Sequence, residues 1–65
     1  MPYVDSSAIS RIEYDPSTRR LFVTFRVGGT YTYYGVPPEV YEAFLRAPSK
    51  GKFHADQIKD RYGDT

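Results

Sequence analysis

The chain has no cysteine, no tryptophan, one histidine and one methionine among its 65 residues. Without cysteine no disulfide can staple the fold, and a lone histidine cannot build a structural zinc site. Lack of cysteine also fits a reducing compartment. No apolar run approaches the roughly 20 residues that a membrane helix needs. The first ten residues, MPYVDSSAIS, have neither the basic nor the apolar region of a secretory signal. A cytoplasmic protein without membrane attachment is expected. Excess charge is scarce as well: nine Lys and Arg against eight Asp and Glu leave +1. That is well short of the usual footprint of a polyanion-binding protein.

What the chain does have is aromatic side chains, seven tyrosines and four phenylalanines. The length allows one domain, residues 1–65. A domain of this size buries only about 60% of the surface its unfolded chain exposes. The core must therefore be built from aromatics and aliphatics, and a partner or a second copy would add burial.

The clearest element is Leu21 to Tyr34, LFVTFRVGGTYTYY. Leu21, Val23, Phe25 and Val27 fall on alternate residues, the period of a half-buried strand. Gly28 and Gly29 accept the positive φ angles of a tight hairpin, and the β-branched and aromatic run from Thr30 to Tyr34 returns as a second strand. Upstream, residues 1–6 read as a poorly ordered entry, with Pro2 and Asp5 against a strand. Ser7 to Tyr14 is a further strand, with Ala8, Ser10, Ile12 and Tyr14 on one face and Ile9, Arg11 and Glu13 on the other. Asp15-Pro16-Ser17-Thr18 is a turn, in which the Asp15 side chain bonds backbone amides two residues on.

Downstream, Gly35-Val36-Pro37-Pro38 ends the sheet, because proline cannot donate to a ladder. Pro38 suits a first helical turn, with Glu39 and Glu42 toward the positive end of the dipole. Val40, Tyr41, Phe44, Leu45 and Ala47 make an apolar stripe, and Pro48 stops that helix. Ser49 suits the N-cap of a second helix, although Gly51 leaves its start open and Asp56 offers another cap; Ala55, Ile58 and Tyr62 share a face, Lys59 and Arg61 turn outward and Gly63 closes the end. The expected class is α+β: a three-stranded antiparallel β-meander followed by two short helices packed on one sheet face.

Enzymatic constellations are missing. There is no Gly-x-Ser-x-Gly elbow and no phosphate-loop pattern. Gly28-Gly29 is a turn with no helix after it. Glu39 and Glu42 read as dipole partners, and His54, near Asp56 and Asp60, as an exposed helix residue. Neither a catalytic group nor a metal or other cofactor is expected. More promising are Tyr31 and Tyr33, whose side of the sheet depends on the loop. A two-residue loop pairs Arg26 with Tyr31 and Thr24 with Tyr33, which puts both rings beside Phe22 on the face opposite Leu21 and Val23. There they would form an aromatic platform for unpaired bases, worth roughly 1–3 kcal/mol per base. A three-residue loop shifts the register by one and turns both into the core. Basic residues gather between Arg46 and Arg61 (Arg46, Lys50, Lys52, Lys59, Arg61), against Asp56 and Asp60.

The order of these motifs resembles a known family, the KTSC domain. The matching residues are Ser6-Ser7-Ala8-Ile9, Tyr14-Asp15-Pro16, Leu21, Val23, Phe25, Tyr31, Tyr33, Gly35-Val36-Pro37, Ala47, Ser49-Lys50-Gly51, Ile58 and Tyr62. That domain takes its name from the C-terminal extension of some lysyl-tRNA synthetases and also occurs as a stand-alone bacterial protein. His54 and Ala55, after Phe53, depart from the pattern, where a second aromatic and an asparagine stand. The attachment to a tRNA synthetase implies RNA binding, an inference from association.

Two functions follow as expectations. One is a non-enzymatic module binding RNA, tRNA-like or otherwise, with Lys50, Lys52, Lys59 and Arg61 on phosphates. Arg11 or Arg26 would stand alongside, and Tyr31 and Tyr33 would stack bases if exposed. The other is a protein-interaction or homodimerisation module using the open sheet face of Phe22, Thr24 and Arg26, joined by Tyr31 and Tyr33 if they are exposed.

Overall fold

Residues 8–64 are described by the computed structural model of the chain. The entry segment, residues 1–6, and Ser7 of the expected first strand lie outside them. Three strands, β1 (Ile9–Asp15), β2 (Arg20–Phe25) and β3 (Gly29–Tyr34), run as an antiparallel meander. Helix α1 (Pro38–Arg46) and helix α2 (Lys50–Phe53) follow, and α2 widens into a π-helical turn, His54–Ile58. A two-residue strand, β4 (Gly63–Asp64), then pairs with Tyr33 and Tyr34 at the far edge of β3. The class is the expected one, with this fourth strand added. Gly63 therefore belongs to the sheet and not to a helix end.

Turn chemistry explains the first reversal. Asp15 Oδ1 accepts from the Ser17 amide at 3.0 Å and from the Ser17 hydroxyl at 2.7 Å, a local bond pattern that competes with continued strand. These bonds, the hydroxyl's first, hold the Asp15 carboxyl below its ordinary value. The second reversal is a three-residue turn, Arg26-Val27-Gly28, closed by pairing of Phe25 with Gly29. Gly28 (φ +108°) and Gly29 (φ +91°) adopt angles that L side chains avoid. Gly28→Ala is accordingly expected to destabilise the domain by about 1–2 kcal/mol. A lowered urea midpoint at unchanged slope would show it.

That turn decides the register. Leu21 pairs with Tyr33 and Val23 with Tyr31, so both tyrosines share the face of the aliphatic residues. In β1 the simple alternation fails. Ile9 pairs with Phe25 while Arg11 pairs with Thr24, which leaves Ser10 as the extra residue of a bulge. The Ser10 hydroxyl donates to the Thr24 carbonyl oxygen there. Ile9 and Ile12, three apart, are thereby both fully buried. Sequence alternation had placed them on opposite faces.

The core lies between this face and the helices: Ile9, Ile12, Leu21, Val23, Tyr33, Val36, Phe44 and Ile58. Pro38 opens α1 as its first residue, and Ala47 ends it in an extended conformation just before Pro48. Tyr14 stacks on Tyr41 of α1 at 4.7 Å and donates its hydroxyl to the Val36 carbonyl oxygen. Phe44 stacks on Phe53 at 5.3 Å, which joins the two helices. Ser49 caps α2 by accepting from the Lys52 amide. No helix among the described residues is long and apolar enough to cross a membrane.

Candidate nucleic-acid interface

Where the β2–β3 hairpin meets the π-helical turn, the covered face is incomplete. Phe25 is paired with Gly29, which has no side chain to place beside it. A Cβ built on Gly29 would meet nothing within 4 Å. Val27, next in the alternating series, leaves the strand for the turn and is 91% exposed. The result is an open groove of about 400 Å³ lined by Phe25, Val27, Tyr31, Tyr33, His54, Ala55 and Lys59. Its walls are aromatic: Phe25 meets Tyr31 edge-on at 5.5 Å and His54 edge-on at 5.0 Å.

At its floor lies a polar pair. Tyr33, 2% exposed, and His54, 8% exposed, share a hydrogen bond of 2.6 Å between the phenol oxygen and Nε2. Burial and then the nearby Lys59 ammonium hold the His54 imidazole below its ordinary pKa, so neutral imidazole is favoured. A phenol proton is far more acidic than a neutral imidazole N–H. Donation from Tyr33 to Nε2 is thus the stronger arrangement, with the ring proton on Nδ1. The π turn is what brings His54 here. Its Lys59 N–H to His54 carbonyl bond of 2.8 Å spans five residues, and His54, not Ala55, turns inward with Ile58. The exposed histidine expected from sequence is a buried one.

The residues singled out from sequence fall in three places. Tyr31, Tyr33 and Lys59 meet in the groove. Tyr31 is 37% exposed at its wall, whereas Tyr33 presents no open stacking face. The two-tyrosine platform belongs to the register that the chain does not adopt. Arg26 sits in the hairpin turn, exposed, its amide bonded to the Ala8 carbonyl, and Arg61 is exposed beyond the π turn. Arg11 lies on the opposite sheet face, paired with Glu13 at 3.0 Å. Lys50 and Lys52 stand at the start of α2. The Lys50 ammonium donates to the Ala47 carbonyl, and Lys52 pairs with Asp56 at 3.7 Å. The basic residues of this stretch therefore differ in their neighbours: Lys50 is bonded to a carbonyl, Lys52 is exposed but faces Asp56, and Lys59 and Arg61 are exposed.

Sequence reasoning missed Phe25 and His54 as groove residues. The available signal was a glycine beside Phe25 in one of the two registers. The π turn had none. The sheet's other face carries Arg20 over the Tyr34 ring at 5.5 Å and a Thr24–Thr30 hydroxyl contact of 2.8 Å. Among the described residues, no group of three or more His, Cys, Asp or Glu is placed to hold a metal.

A family model described as the KTSC domain matches residues 5–62. The chain belongs to the KTSC domain family. A crystal structure of a KTSC domain protein from Yersinia pestis superposes with a TM-score of 0.96 at 42% identity, covering 98% of this chain and 90% of that one. A protein of Tsukamurella paurometabola is 45% identical over 62 residues, 95% of this chain and 92% of its own length. The lysine–tRNA ligase of Nostoc punctiforme is 36% identical over 58 residues, 89% of this chain and 10% of the ligase. This KTSC chain thus spans about a tenth of that enzyme, and likeness over a tenth carries no activity with it.

Proposed function

We propose that this KTSC domain is a non-enzymatic module that binds single-stranded RNA weakly, along a path from the hairpin turn across the groove to the end of the π turn. The observation that carries it is the convergence of the half-exposed Tyr31 ring and the exposed Lys59 ammonium on one aromatic groove. Single-strand binding without sequence preference combines these two elements, a stacking ring and a cation for the backbone. Lys59 and Arg61 supply the phosphate contacts, with the exposed Arg26 beside them, and Lys50, Lys52 and Arg11 contribute less because a carbonyl, Asp56 and Glu13 respectively stand against them. The occurrence of a similar stretch within a lysine–tRNA ligase supports RNA as the polyanion. In such a fusion, linkage to a larger RNA-binding body raises effective concentration, which offsets the low net charge.

Two or three phosphate contacts set the salt dependence. With a slope of about −0.7 per contact, affinity for a labelled single-stranded RNA falls roughly tenfold between about 50 and 200 mM salt. Lys59→Glu with Arg61→Glu lowers low-salt affinity by roughly tenfold or more, whereas Lys50→Glu with Lys52→Glu changes it by less than about threefold. Fluorescence anisotropy reads both. The opposite ranking of the two pairs would reject this path for the RNA.

A second possibility is a protein contact on the open sheet face, favoured by Tyr34, exposed with Arg20 stacked on it. Tyrosine and arginine are enriched at such interfaces. A mass that rises with protein concentration, and no binding of RNA at low salt, would select it.

A further inference from the structure

The groove has the attributes of a pocket for one small planar ligand. Its volume of about 400 Å³ lies within the range of roughly 300–1,000 Å³ of small-molecule sites. Such sites are apolar with a few placed polar groups, and here Phe25 and Tyr31 form the wall over the Tyr33–His54 pair. The lining contains no carboxylate. Lys59 stands at the rim, exposed and in no ion pair with the described residues. An aromatic wall, a polar floor and one unopposed cation complement a flat ring carrying a phosphate.

We infer that the groove is a subsite for a single unstacked nucleotide, its base against Tyr31 and Phe25 and its phosphate on Lys59. The inference rests on the RNA-binding function proposed above and specifies where one base goes. The neighbouring nucleotides then follow the exposed cations, Arg26 on the hairpin side and Arg61 on the other. Gly29, paired with Phe25, places no side chain opposite it at this end of the hairpin. Low dielectric around the His54 imidazole, kept neutral as argued above, removes a competing positive charge from the floor, so Lys59 alone sets where the phosphate lies.

The test uses the whole chain and a fluorescent single-stranded RNA of about ten nucleotides, within the site size of single-strand binding folds. Lys59→Gln is a solvent-facing change, and Tyr31→Leu keeps an apolar side chain against Phe25 while removing the stacking ring. Each is expected to weaken binding roughly tenfold while thermal unfolding stays near that of the parent. In the isotope-labelled protein, adenosine 5′-monophosphate is expected to shift the amides of Tyr31, Ala55 and Lys59 at lower concentration than adenosine or inorganic phosphate does. RNA that binds equally well to the parent and to both variants overturns the subsite and leaves the broader function standing. A parent that fails to bind the RNA at low salt overturns both. Shifts of the same amides that grow with protein concentration alone would put a second copy of the chain in the groove, and would also overturn the subsite.

Discussion

Phe44→Ala is expected to destabilise the domain by about 3–5 kcal/mol, the cost of truncating a buried phenylalanine. A chain of this length has only about 3–10 kcal/mol to lose, at 0.05–0.15 kcal/mol per residue. The variant should therefore be largely unfolded at room temperature or nearly so. Phe44 is fully buried and is the side chain of α1 that meets α2, through its stack on Phe53. Removing it leaves a cavity in the buried cluster that it shares with Leu21 and Val23. No disulfide is present to limit the damage. Urea unfolding followed by far-UV circular dichroism measures the loss. Val27→Ala is the matched control, because Val27 is almost wholly exposed, and it should stay within about 0.5 kcal/mol of the parent. A Phe44→Ala protein as stable as the Val27→Ala one would mean that the core does not lie where the packing puts it.

The second large effect is at the groove floor. Tyr33→Phe removes the only atom that changes, the hydroxyl bonded to His54 Nε2. A buried polar atom left without its partner costs about 1–3 kcal/mol. Ring packing is kept, so the loss reports the hydrogen bond and not a cavity. The same pair makes stability depend on pH. Burial, and then Lys59, places the folded-state pKa of His54 below the ordinary 6.5. Below that value the unfolded chain takes up a proton that the folded chain refuses, so the unfolded state binds more protons. Stability is then fully present above pH 6.5 and falls as pH drops from 6.5 toward the folded-state pKa. The Asp15 carboxyl acts in the same direction but lower, beneath its ordinary 3.8. Thermal midpoints measured from neutral pH downward should show a decline that starts near 6.5, and His54→Gln should abolish that part of it. A parent whose midpoint is flat through this range would contradict a buried neutral His54.

Much of the fold was legible because its signals are local. Alternation from Leu21 to Phe25, the Asp15–Ser17 turn, proline at the head of α1 and Ser49 at the head of α2 each act within a few residues. Features set by non-local geometry were not legible. The bulge at Ser10 exists because Ile9 and Ile12 both find room under the helices, and nothing in SAISRIEY itself marks it. The hairpin register turned on one residue of loop length, since VGGT allows two turns of similar chemistry. The longer turn won, and with it Tyr33 passed from a possible stacking surface to the core. At the site Lys59 and Tyr31 come together, while Lys50 is bonded to a carbonyl and Lys52 faces an aspartate, neighbours that sequence spacing does not rank. His54 was mistaken for a surface residue because an ordinary helical wheel puts Ala55 inward; the π turn changes which residue faces the sheet.

Docking of RNA on the groove side is tested most directly by amide chemical-shift mapping. Isotope-labelled protein would be titrated with a short single-stranded RNA at low salt. Shifts confined to Val27, Tyr31, Ala55, Lys59 and Arg61, reversed by added salt, are the expected result. Shifts centred on Arg11, Phe22, Thr24 and Thr32 of the opposite face, or none at all, would contradict it.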